Sequence, residues 1–107
     1  MEFINKIEIQ GYVGQSALNR VGDSTVCRFS VVTEHAYNDK SGGIVVDCTW
    51  FNVTAWESKK IPVLTDITKG KAIHIKGRVR AYKFTGSDGT ERSGWEILAS
   101  EIELIKE

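Results

Sequence analysis

The stretch Lys59-Lys60-Ile61-Pro62-Val63-Leu64-Thr65-Asp66-Ile67-Thr68-Lys69-Gly70-Lys71-Ala72-Ile73-His74-Ile75-Lys76-Gly77-Arg78-Val79-Arg80-Ala81-Tyr82-Lys83-Phe84 decides the fold. Its first part, about Lys59 to Thr68, is the one helical candidate in the chain. Ser58 can cap its start. Pro62 falls in the first turn, where a missing N–H breaks no intrahelical bond, and Gly70 ends it. Its second part, Ala72 to Phe84, alternates with a period of two. Ile73, Ile75, Gly77, Val79 and Ala81 make one face, and His74, Lys76, Arg78, Arg80, Tyr82 and Phe84 the other. That is the pattern of a strand with one buried side.

Extended segments lie on both sides of this stretch. Ile4 to Val13 alternates, with Ile7, Ile9, Gly11 and Val13 on one face. Val26 to Tyr37 is rich in β-branched residues. Asn38-Asp39-Lys40-Ser41-Gly42-Gly43 is a strong hairpin signal, and Ile44 to Trp56 returns from it. Downstream, a loop over Thr85–Gly94 built around Ser87-Asp88-Gly89 leads to a fifth strand, Trp95 to about Ile105. The predicted order is three strands, a short helix between strands three and four, then two strands. That is the order of an all-β, five-stranded Greek-key barrel, the OB-fold; an SH3-like barrel does not usually place a helix there. With 107 residues, no linker and no internal repeat, residues 1–107 are expected to form one domain.

The composition sets limits. Hydrophobic residues make up 41% of the chain, and there is one proline against ten glycines, which suits a β protein with tight turns. Met1–Lys6 shows no basic stretch followed by an apolar run, and no segment approaches the ~20 apolar residues that span a bilayer. A soluble cytosolic protein is the expectation. Cys27 and Cys48 both sit in strand-like runs and read as small buried hydrophobes in a reducing compartment. Net charge is zero, which by itself argues mildly against a nucleic-acid binder. The distribution says more. Lys69, Lys71, Lys76, Arg78, Arg80 and Lys83 follow one another with no acid among them, while Glu96, Glu101, Glu103 and Glu107 dominate the last strand.

Strand four interleaves cations and aromatics on its outward line. Cations track phosphates and release counterions; flat rings stack on unpaired bases without reading sequence. On strand three, a core of Phe51 and Val53 puts Trp50 and Trp56 outside, where bases or a partner subunit would have to cover them. Tyr37 enters the first long hairpin, and Phe84 and Arg92 flank the second.

These residues resemble a known family. The runs Phe29-Ser30-Val31, Tyr37-Asn38-Asp39-Lys40, Thr49-Trp50-Phe51-Asn52-Val53, Lys69-Gly70-Lys71 and Lys76-Gly77-Arg78-Val79-Arg80 are similar, in order, to bacterial single-stranded DNA-binding protein. So are Ile4-Asn5-Lys6-Ile7 and Asp88-Gly89 before Trp95-Glu96-Ile97. The resemblance runs from Ile4 to Ile105. It implies an OB-fold core that binds and protects single-stranded DNA during replication, recombination and repair, in the cytoplasm at the nucleoid. It places base-stacking aromatics at Tyr37, Trp50, Trp56 and Phe84. Lys71, Lys76, Arg78, Arg80, Lys83 and Arg92 are the expected phosphate contacts. It also implies a homo-oligomer, a tetramer in preference to a dimer, paired through strand one. The family's usual flexible tail with an acidic-hydrophobic tip has no counterpart after Lys106-Glu107, so tail-mediated replication and repair partners are not expected of this sequence.

Other classes remain as alternatives. A tailless primosomal replication protein is also a short OB module that would act as an assembly platform on single-stranded DNA. A protein-interaction module would cover Trp50 and Trp56 with protein. An enzyme is disfavoured: Asp39, Asp47, Asp88 and Glu91 are scattered over hairpins, and His35 and His74 lack zinc-ligand spacing with Cys27 or Cys48. No phosphate-binding loop, nucleophile elbow or dinucleotide fingerprint occurs. No cofactor or metal is expected.

Overall fold

Apolar–polar alternation carries through into five long strands in a computed structural model that describes all 107 residues. They are β1 (Ile7–Val21), β2 (Ser24–Asn38), β3 (Ile44–Trp56), β4 (Ala72–Thr85) and β5 (Glu91–Ile105). They close into a barrel with neighbours in the order β1-β2-β3-β5-β4. All pairings are antiparallel except a short parallel contact of β3 with β5 at Val53↔Ile97 and Thr54↔Leu98.

The inward faces are those the alternation marks. Ile9, Val13, Cys27, Phe29, Val31, Val53, Ala55, Ile73, Ile75, Ile97, Ala99 and Ile102 form one buried cluster. Phe51 packs against its edge. On β5 the inward set changes phase between Ala99 and Ile102, because Ser100 is an extra residue: Gly77 pairs with Ala99 and Lys76 with Glu101. The Ser100 hydroxyl donates to the Lys76 carbonyl (3.1 Å). Such a bulge bends the strand and lets it keep facing the core.

The strands are longer than the barrel needs. β2 and β3 stay paired without interruption from Val26↔Trp56 to Asn38↔Ile44, and β4 and β5 pair out to Thr85↔Glu91. Their distal halves are therefore two-stranded arms projecting past the core. Each arm ends in a carboxylate-pinned turn. Asp39 Oδ1 accepts from the amides of Ser41 (2.9 Å) and Gly43 (2.8 Å), and Asp88 accepts from the amide and the hydroxyl of Thr90. Gly42 and Gly89 supply the positive φ these turns require.

The structure corrects the expectations in four places. The helix over Lys59–Thr68 is absent; the segment holds only a 3-10 turn at Leu64–Asp66. The residue before a proline is disfavoured in the helical region, so Pro62 acts against Ile61 rather than as a helix start. Ile61, Val63, Thr65 and Ile67 are β-branched and stiff at χ1. The Ser58 hydroxyl accepts from Lys60 N (3.3 Å) in a local turn, while Leu64 and Ile67 join the core. Second, β1 runs to Val21 and turns into β2 at Gly22, whose φ is 60°, a hairpin the residue pattern did not announce. Third, β4 runs to Thr85 and β5 begins at Glu91, so half of the expected 85–94 loop is strand. Fourth, Cys48 is exposed on the β2–β3 arm, while Cys27 is buried; alternation places Cys48 on the outward face.

Ile67 is 1% exposed and Val63 is 67% exposed on the same short segment. Ile67→Ala is expected to lower unfolding stability by about 2–5 kcal/mol, and Val63→Ala by no more than about 0.5 kcal/mol. Urea denaturation of the two variants checks this; equal losses would mean that the segment is not anchored through Ile67.

Candidate nucleic-acid interface

Trp50 is 60% exposed on β3 and pairs with Val32. Its ring reaches across β2 onto β1. A side-chain carbon placed on Gly14 would lie 2.4 Å from the ring and 2.8 Å from the Ser30 hydroxyl, so only glycine leaves room for it. The local backbone explains the glycine. Val13 pairs with Val31 but Ser16 with Phe29, so β1 carries one extra residue here. The amide this irregularity frees, Gln15 N, donates to Ser30 Oγ (3.1 Å). The β1 bulge thus forms a flat seat that holds an indole against the outside of the barrel.

Beside this seat lies a groove of about 620 Å³ between the β2–β3 and β4–β5 hairpins. Arg28, Ser30, Asn52 and Thr54 line one wall, and Arg80, Tyr82 and Glu96 the other. All are on the outward faces of their strands. Tyr82 packs against Phe84 with ring centroids 5.8 Å apart and covers Gly94, where an added carbon would sit 2.7 Å from the Tyr82 ring.

An acid lies in the middle of this basic wall. Glu96 accepts from Thr54 Oγ1 (2.7 Å) and from Arg80 Nε (3.1 Å) and Nη2 (2.5 Å). Burial works against its charge, but the hydrogen bonds from Arg80 and Thr54 and the charges of Arg80 and Arg28 outweigh it, and the carboxyl titrates below its ordinary value. Arg80 is thereby oriented, with its charge set against that of Glu96. Local patterning could not reveal this, because Thr54 meets Glu96 only through the β3–β5 contact.

The residues expected to bind DNA are not all brought together. Trp50, Trp56, Arg78, Arg80, Phe84 and Arg92 occupy outward-facing positions of the two hairpins. Trp56 is mostly covered, and Arg92 reaches Asp88 (3.4 Å) at the arm tip. Tyr37 pairs with Val45, stacks on His35 at 6.2 Å and lies on the opposite face of its ribbon from Trp50, since register pairs alternate faces. Lys83 is likewise on the opposite face of its arm from Tyr82 and Phe84; it reaches Glu91 at 3.6 Å. Lys76 faces Glu8 in register on one side and Glu101 on the other, and Lys71 precedes β4, its carbonyl accepting from Val13 N. Lys71, Lys76 and Arg78 make no salt bridge. Arg28, Tyr82 and Glu96 are groove residues not among the expected contacts; Tyr82 was marked only by its place on the outward line of strand four. No group of three or more His, Cys, Asp or Glu is arranged to hold a metal ion.

Glu96 sets a pH test. A carboxyl held low in the folded state contributes stability that is complete above its unfolded value and is lost as pH falls through the lowered one. The stability gap between the parent and Glu96→Gln is therefore expected to be widest at neutral pH and to close below about pH 4. Urea unfolding across pH measures it; a gap independent of pH would show that the Arg80–Glu96 charge pair contributes nothing.

The chain matches the single-strand binding protein family over residues 4–105. It is 30% identical over 104 residues to a single-stranded DNA-binding protein of Neisseria meningitidis serogroup A, covering 95% of this chain and 60% of that one. It is also 30% identical to a protein of the same name from Xylella fastidiosa strain Temecula1, covering 95% and 63%. The chain thus spans about three-fifths of the length of these relatives. Among solved structures, a Plasmodium falciparum SSB complex with ssDNA superimposes with a TM-score of 0.80 at 19% identity, over 99% of this chain and 98% of that one. A small single-stranded DNA-binding protein from Streptomyces coelicolor superimposes with a TM-score of 0.68 at 18% identity, over 94% and 93%. At these identities the structural likeness is one of fold.

Proposed function

The chain belongs to the single-strand binding protein family, and from that premise we propose that residues 1–107 act as one domain that binds and protects single-stranded DNA, with no chemical step. The observation that carries the reading is the Trp50 ring, seated on Gly14 and exposed at the rim of a groove whose far wall ends in Tyr82 and Phe84. Unpaired bases stack on Trp50, Trp56 and Phe84, with Tyr37 engaged where the strand passes round its arm. Arg28, Arg78 and Arg80 contact phosphates along the groove, and Lys83 and Arg92 do so at the arm. Lys71 and Lys76 contribute to the field at the base. Duplex is excluded because paired bases hide their faces, and sequence preference is slight.

In the cell this reading places the protein in the cytoplasm, serving replication, recombination and repair. It works there as a homo-oligomer, a tetramer in preference to a dimer. Met1, Phe3 and Ile4, all more than three-quarters exposed ahead of β1, are the surface that self-association would cover.

Tryptophan fluorescence titrated with oligo-dT at low and high salt, beside a duplex control, tests the function. Saturable quenching that weakens with salt and is absent with duplex is expected, and no quenching at low salt would sink the reading. Trp50→Ala is expected to weaken binding by about 1–3 kcal/mol.

The groove also discriminates between two arginines. Arg78 has no acidic partner, so Arg78→Ala should reduce the salt slope by roughly 0.7. Arg80 is compensated by Glu96, so Arg80→Ala should change the slope less. Equal slope changes in the two variants would contradict the compensation.

A further inference from the structure

Trp95 is 71% exposed, more than Trp50, and the site described above does not use it. It pairs with Ala81 on the β4–β5 arm, and two positions toward the tip, past Tyr82↔Gly94, is the pair Lys83↔Ser93. Trp95, Ala81, Lys83 and Ser93 therefore share one face of the ribbon, opposite the face of Tyr82 and Phe84. No other aromatic ring lies against Trp95. Lys83 pairs with Glu91 only at 3.6 Å, with both side chains more than two-thirds exposed. Such a pair holds its cation weakly, so a phosphate can take it.

From this placement we infer that the second face of the β4–β5 arm is an additional single-strand contact, in which a base stacks on Trp95 and Lys83 meets an adjoining phosphate. The inference rests on the single-strand reading above and extends the strand's path beyond the groove. β1 leaves β4 at Gly77, the Asn5 side chain ahead of it still donates to the Val79 carbonyl (2.7 Å) and accepts from the Val79 amide (3.0 Å), and β3 meets β5 only at Ile97 and Leu98. The edges of the arm beyond these points carry no neighbouring strand, so a nucleic-acid strand leaving the groove over Phe84 can fold round an edge onto Trp95. The chemistry favours DNA over a protein partner. On this face Trp95 has a methyl across the pair (Ala81) and, toward the tip, a hydroxyl and an ammonium (Ser93, Lys83), which is a stacking platform with a cation. The apolar pair on its other side, Val79 and Ile97, is part-buried and buried and leads into the core rather than widening an exposed patch. The placement also gives Lys83, which faces away from the groove, a strand to contact.

The test is a series of dT oligomers from about 4 to about 16 nucleotides, titrated against the parent, Trp95→Ala and Trp95→Phe. Sedimentation of each protein without DNA accompanies it. The expected result is that Trp95→Ala binds the shortest oligomers like the parent and the longest about tenfold more weakly, that Trp95→Phe recovers most of the loss, and that all three sediment alike. Parent-like binding by Trp95→Ala at every length would overturn the inference and leave the groove reading intact. A lower sedimenting mass for Trp95→Ala would overturn it in favour of a second copy of the chain on this face. Failure of the parent itself to bind any oligomer would remove both readings.

Discussion

Strand β1 has to serve two neighbours, and the rest of the molecule is arranged around the place where it changes partner. Its first half pairs with β4 and its second half with β2. At the crossover Val13 donates to the Lys71 carbonyl (2.9 Å) and accepts from the Gly70 amide (2.8 Å), which ties the end of the β3–β4 connection to the seam. Close approach there demands residues without side chains. A carbon on Gly11 would lie 2.0 Å from the Val32 carbonyl oxygen. The neighbouring irregularity at Gly14 leaves the hollow that Trp50 fills. Barrel closure and the aromatic platform are thus one piece of backbone geometry.

Closure also decides what the charges can do. The basic run of strand four reads as a positive stripe when the chain is taken alone. In the fold its neighbour is the acidic strand, and Lys76 faces Glu101 while Arg80 faces Glu96. Arg80 and Lys83 of the stripe are ion-paired with Glu96 and Glu91 of β5, while Lys76 only faces Glu101 in register. What distinguishes this outward face is therefore less an excess of cations than the coincidence of exposed rings with two cations, Arg28 in the groove and Arg78 beside it, that lack acidic partners in salt-bridge range. A surface built this way holds a strand through stacking supplemented by phosphate contacts, and paired bases cannot use the stacking.

The parts of this arrangement that were legible in the sequence are those with a local signature. The two-residue period gave the inward rows Ile73–Ile75 and Phe51–Val53, and Asp39–Gly43 and Asp88–Gly89 marked the arm tips. The outward position of Trp50 followed from the same alternation. The segment after β3 misled because its helix signals, Ser58 and Pro62, were weighed without the β-branched residues between them, and because burial of Leu64 and Ile67 requires no more than a single turn. The Gly14 seat, the Ser100 bulge and the Thr54–Glu96–Arg80 cluster depend on pairings between residues far apart in the chain, which no window of sequence displays. The facing of Tyr37 and Lys83 was in principle available from the alternation of their own strands.

The central claim is that a single strand lies on the outward face that carries Trp50, Tyr82 and Phe84, and not on the charge-paired wall of β1, β4 and β5. Ultraviolet cross-linking of the protein to oligo-dT, followed by mapping of the modified peptides, addresses it directly. The account predicts thymine adducts on the peptides holding Trp50 and the Tyr82–Phe84 pair, lost on competition with unlabelled single strand and retained with duplex. Adducts confined to the wall around Glu8, Lys76 and Glu101, or none above the duplex control, would contradict it.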